Sequence, residues 1–128
     1  VRIFKNKTFA RFARKSGITD ASLCKAVKDA EQGLLDADLG GGVIKQRVAR
    51  SGGGKSGGFR TLILFRIKSL AFFVHGFAKN EKDNIDDDEL KALRELASYL
   101  LNYDDTALRR AVETKTLIEV ICHEKTIP

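Results

Sequence analysis

Residues 59–68 read Phe-Arg-Thr-Leu-Ile-Leu-Phe-Arg-Ile-Lys, and how this stretch folds decides the rest of the chain. Aromatic and β-branched residues crowd it, which favours a strand over a helix. Just upstream, Ala49-Arg50-Ser51-Gly52-Gly53-Gly54-Lys55-Ser56 fits a relaxed phosphate-loop pattern: a small residue, four more, then Gly-Lys-Ser. Such a loop works only when it opens onto a helix whose amino terminus faces the phosphates. A strand at Phe59–Lys68 removes that helix. The glycine segment then becomes a hairpin between two strands, able to hold a longer polyanion through Arg50, Lys55 and its backbone amides.

Working outward, Leu70–Ala78 has the same strand-forming composition, and only the neighbourhood of Ser69 separates the two runs, so they predict a hairpin. Val43–Arg50 alternates, with Val43, Lys45, Arg47 and Ala49 on one face and Ile44, Gln46, Val48 and Arg50 on the other. The three strands form an antiparallel meander. Phe59–Lys68 is apolar on both faces, which places it centrally, with helices covering one side of the sheet.

Nearer the amino terminus, Val1–Lys5 alternates as a short strand. Residues 7–16 read as a helix with Phe9, Phe12 and Ala13 on one face, ending near Gly17. Thr19 or Asp20 caps a second helix striped by Leu23, Val27, Ala30 and Leu34. Gly40-Gly41-Gly42 breaks the pattern before the meander. Beyond it, Asp86, Asp87, Asp88 and Glu89 suit a helix amino terminus, followed by an apolar face of Leu90, Leu93, Leu96, Ala97, Leu100 and Leu101. Tyr99 is expected half-buried on this helix. Asp104-Asp105 starts a short helix carrying Leu108 and Val112, and Thr116–Cys122 reads as a terminal strand or an extended tail.

The 128 residues make one domain large enough to fold without disulfides or metals. Cys24 and Cys122 lack Cys-x-x-Cys spacing and clustered histidines, so they read as free thiols, with no zinc site. No stretch reaches the ~18–20 apolar residues that span a bilayer, and Val1–Lys5 lacks a signal-peptide core; a soluble, cytoplasmic protein is expected. The net charge is +6, and its distribution is uneven. From Val43 to Asn80 there is no Asp or Glu, while Lys45, Arg47, Arg50, Lys55, Arg60, Arg66, Lys68 and Lys79 all fall there. A basic segment between acidic ones is a candidate polyanion-binding surface.

Three phrases, "IKQRVARSGGGKSGGFRTLILF", "FFVHGFAKNEKDNI" and "DDDELKALRELA", together with the element order, resemble the RelE/ParE superfamily of bacterial toxin–antitoxin toxins, particularly its HigB-like members. The resemblance spans roughly residues 1–102 and is most specific from Ile44 to Ile85. It implies an α+β, RelE-like fold: a small antiparallel sheet, made of an N-terminal strand and a three-strand meander, packed against an N-terminal helical pair, with a C-terminal helix. Residues 1–103 would be the toxin domain and 104–128 a C-terminal extension packed on it, as an added helix, a paired strand or a homodimer contact.

The implied function is a toxin that cuts mRNA in the ribosomal A site, inhibits translation and is held in check by an antitoxin protein. Such cleavage deprotonates the 2′-hydroxyl, stabilises a pentavalent phosphate and protonates the leaving oxygen, which grouped cations can do with no cofactor or metal. By position, Lys45 and Arg47 match the family's basic strand, Arg60 its phosphate-stabilising arginine, and Lys79 the basic residue closing the last strand; these four are the implied catalytic set. Arg50, Lys55, His75 and Lys82 are the RNA-binding candidates. Read alone, His75 beside Phe73 and Phe77 is also a natural packed core residue. Asn80 stands where many RNA-cleaving relatives carry arginine. Two other functions share this fold: a gyrase-inhibiting toxin of the ParE branch, and a non-catalytic RNA- or protein-binding module.

Overall fold

A computed structural model describes residues 1–49, 58–78 and 85–123. Strand β1 (Arg2–Asn6) runs directly into helix α1 (Lys7–Ser16), because the Asn6 side chain accepts the Phe9 N–H at 2.8 Å and so caps the helix. Gly17 ends α1 in the left-handed conformation. Thr19 then caps α2 (Asp20–Glu31), which buries Leu23, Ala26, Val27 and Ala30. Leu34 does not belong to that stripe. The helix stops at Glu31, Gly33 turns the chain at φ 82°, and Leu34 is left exposed.

A strand the sequence did not suggest, β2 (Ala37–Gly40), follows and pairs with β3 (Val43–Val48). The Gly40–Gly42 turn between them is where a later helix docks. Gly41 has φ 62°, and a Cβ there would stand 2.7 Å from Cγ of Arg94. That arginine donates hydrogen bonds to the carbonyls of Leu39 and Gly40. Strands β4 (Phe59–Arg66) and β5 (Leu70–Ala78) complete the expected meander. Helix α3 (Asp87–Leu100) begins with a reciprocal capping box between Asp86 and Glu89. Helix α4 (Asp105–Glu113) and strand β6 (Leu117–Val120) follow.

The fold is α+β, as expected, but the sheet is larger than four strands and mixed in direction. Its order is β2-β3-β4-β5-β1-β6. β1 lies parallel to β5, with Phe4 opposite Phe72 and their rings stacked 5.3 Å apart, and β6 pairs antiparallel to β1 on the outer edge. Helices cover both faces of the sheet instead of one. Phe59, Ile63, Ala71 and Phe73 pack beneath α1 and α2, whereas Leu62, Leu64, Phe72 and Val74 pack beneath α3 and α4. The cause lies in β4 and β5, whose two apolar faces each need removal from water. Of the apolar face expected on α3, Ala97 and Leu100 are buried, as is the following Leu101, and Leu96 is partly exposed. Tyr99 points outward, at 71% exposure, which corrects its expected half-burial.

Cys24 and Cys122 are joined in a disulfide, not free. Spacing along the chain hid this, because the two residues are separated by 98 positions. Pairing of β6 with β1 carries the chain end back beside α2, leaving the two Cα atoms 5.9 Å apart. Closing so long a loop restricts the unfolded chain strongly. Cys122→Ser, or reduction, is therefore expected to cost about 2–4 kcal/mol of stability. A urea titration with and without reductant measures it; coincident curves would mean the bond adds nothing.

Candidate nucleic-acid interface

The alternation along β3 divides its residues between two jobs. Gln46 points toward α2 and is buried; its side-chain amide donates to the carbonyls of Ala26, at 3.0 Å, and Leu34, at 2.9 Å. Thr61 on β4, also buried, donates its hydroxyl to the Gln46 carbonyl at 2.9 Å. These bonds lock β3 between α2, the 32–36 turn and β4. The opposite face of β3, the one shared with Val43 and α3, carries Lys45 and Arg47.

On β4 the same face carries Arg60 and Leu62. The register sets Arg60 directly opposite Arg47, and Leu62 opposite both Lys45 and His75. Gly58 gives Arg47 room, since a Cβ there would come within 2.9 Å of the Arg47 Nε. His75 reaches this face through an irregularity in β5. Leu62 pairs with His75 and Ile63 with Phe73, so Val74 is an extra residue in the ladder. Beyond that bulge, Gly76 lies on the α1 side, where a Cβ would come within 2.3 Å of the Phe12 ring, and His75 and Phe77 join Val74 facing α3. Leu62, Val74, His75, Phe77 and Ile85 line a cavity of about 240 Å³ beneath the first turns of α3.

The structure thus gathers Lys45, Arg47, Arg60 and His75 on one face of three adjacent strands. Lys79, Arg50, Lys55 and Lys82 lie outside the described residues. Arg60 is held rather than free: its Nε donates to Oδ2 of Asp36 at 2.8 Å. Its Nη1 is buried and has no hydrogen-bond partner among the described residues. Asp36 escaped the sequence reading because it lies between the helical stripe that ends at Leu34 and the Gly40–Gly42 break, and nothing local links it to a strand that starts more than twenty residues later.

Grouped cations on one face suit a phosphodiester chain, because their attraction is independent of base sequence and strengthens as the site loses water. Among the described residues no cluster of His, Cys, Asp and Glu could hold a metal ion, and no helix is long and apolar enough to cross a membrane. The chain matches the model of the RelE toxin of the RelE/RelB toxin–antitoxin system over residues 1–120, a span that runs through α4 and β6. No curated protein matches it. The mixed α+β sheet, its basic face and this match over nearly the whole length place the chain in the RelE family of toxin–antitoxin toxins, a membership that implies an antitoxin partner.

Proposed function

We propose that this toxin is a metal-independent endoribonuclease that cuts mRNA on the translating ribosome in the cytoplasm and so inhibits translation. The observation that carries the reading is the grouping of Lys45, Arg47, Arg60 and His75 on one sheet face, with Arg60 on a central strand. In this mechanism the RNA 2′-hydroxyl gives up its proton to solvent as its oxygen attacks the adjacent phosphorus, the P–O5′ bond breaks, and a 2′,3′-cyclic phosphate and a 5′-hydroxyl result. Arg60 stabilises the charge that builds on the phosphorane oxygens. Lys45 and Arg47 hold the backbone beside it, and His75 passes a proton to the departing 5′-oxygen. Lys79 joins the catalytic set, and Arg50, Lys55 and Lys82 the RNA contacts, on the resemblance alone.

Addition of the purified toxin to a translating extract is expected to cut mRNA within translated codons and to leave the same RNA intact when ribosomes are absent. Intact mRNA in the translating extract would overturn the reading. Inhibition of DNA supercoiling in that case would select the gyrase-directed branch of the fold.

A further inference from the structure

The residue that aims Arg60 is a carboxylate on the neighbouring turn. We propose that Asp36 is a positioning residue of the toxin, holding the Arg60 guanidinium by its Nε in a fixed place on the basic face, beside the scissile phosphate. This rests on the endonuclease reading.

Arginine has a long, flexible side chain, and β4 sets this one opposite a second guanidinium, Arg47, across the ladder. Like charges directly opposite repel, so without a partner Arg60 would swing away from the sheet. Asp36 counters that with a charge-assisted bond of 2.8 Å from Nε. Because Nε, Cζ and both Nη atoms are coplanar, a bond at Nε restricts how the whole group can turn. Nη1 lies on the other side of Cζ from that bond, buried and with no hydrogen-bond partner among the described residues. That atom is closed to an incoming phosphate, so RNA meets the arginine through the fifth of its side chain that stays exposed, 20%.

The carboxylate is itself held in place. The Asp36 N–H donates to the carbonyl of Lys45 at 3.2 Å, and Ala37 pairs with Lys45 in the ladder. Two residues earlier, the Leu34 carbonyl accepts the Gln46 amide. Asp36 is thus tied to the strand that carries Lys45 and Arg47, and Arg60 is paired with Arg47 across the ladder. Both partners are partly withdrawn from water, with side-chain exposures of 20% for Arg60 and 31% for Asp36. A carboxylate here also weakens the attraction of the face for a polyanion. Its compensating effect is orientation, so its removal should affect rate and affinity in opposite directions.

The test is single-turnover cleavage with toxin in excess over translating ribosomes, alongside ribosome affinity and urea unfolding, for wild type, Asp36→Asn and Asp36→Glu. Asp36→Asn is expected to lower the saturating rate about tenfold or more while affinity stays equal or tightens. Asp36→Glu should recover part of the rate, because it restores the charge. Adding Asp36→Asn to Arg60→Ala should change the residual rate by less than about twofold, since the carboxylate acts only through the arginine. Should Asp36→Asn fail to fold, Asp36→Glu still reads the split between rate and affinity. An unchanged saturating rate, with only the unfolding midpoint moved, overturns the proposal. A raised rate also overturns it and makes the pair a restraint. Wild-type toxin that leaves mRNA intact removes the endonuclease reading and this role with it, whereas active wild type with fully active Asp36→Asn removes this role alone.

Discussion

Arg60→Ala is expected to lower the rate of ribosome-dependent cleavage by about 10²–10³-fold, the range found when one preorganised donor to a developing oxyanion is removed. The magnitude follows from where the charge develops. Negative charge on the equatorial oxygens grows between bound RNA and the phosphorane, so a guanidinium fixed beside them stabilises the transition state more than the ground state. Arg60 meets the requirement for fixity: it lies on a central strand, and its Nε is bonded to Asp36. The loss should appear in the saturating rate and not in affinity. Arg47→Ala supplies the contrast, since an exposed cation on β3 acts mainly as a backbone contact. It should weaken binding and flatten the dependence of log affinity on log salt by roughly one contact's worth, with a small effect on the saturating rate. Single-turnover assays across a salt series separate the two, with urea unfolding as the control for folding. An Arg60→Ala toxin that cuts at the wild-type rate when saturating would remove the arginine from the chemistry.

The features legible in the sequence are those written within a few residues. Caps at Thr19 and Asp86 mark where two helices begin, because a short polar side chain can reach the backbone N–H three residues on. Alternation along β3 separates Lys45 and Arg47 from Gln46 without any knowledge of neighbouring strands. Apolar residues on both faces of 59–65 likewise announce a central strand, and β4 is one. What the sequence could not supply is pairing at a distance. The parallel match of β1 with β5, the edge strand β2 and the disulfide from α2 to the chain end each join segments whose local composition is silent about the partner.

The candidate site shows the same division. Arg60 is conspicuous as a residue, but that it faces Arg47 depends on register, and that it is bonded to Asp36 depends on a strand the sequence did not reveal. His75 is the sharper case. A strict period of two from Leu70 would put it with Ala71 and Phe73 under α1, as a packed core histidine. The extra residue at Val74 turns it to the basic face instead. A bulge changes only one step of the ladder, and its sole local hint is Gly76, where a side chain would collide with the Phe12 ring.

Phe73→Ala is expected to cost about 3–5 kcal/mol of folding stability, the largest effect of any single truncation considered for this chain. Phe73 is completely buried, with its ring 5.1 Å from that of Phe9 on α1 and its backbone opposite Ile63 on β4. Truncation would therefore leave a cavity between the sheet and the first helix, and β4 and β5 are central strands that cannot move inward to fill it without disturbing the opposite core. Set against a typical total of about 5–15 kcal/mol, the loss is large enough to leave much of the protein unfolded in warm solution. Ile118 on the edge strand β6, at 38% exposure, should tolerate the same truncation with a much smaller loss. Urea midpoints compared at a common slope measure both. The position also separates stability from chemistry, because Phe73 touches the α1 side while the basic residues lie on the α3 side. At low temperature, where the variant is mostly folded, each folded molecule should cleave near the wild-type rate. A loss under about 1 kcal/mol would mean that α1 can settle onto the sheet without the ring, and that the aromatic contact between Phe9 and Phe73 is not what fixes that helix.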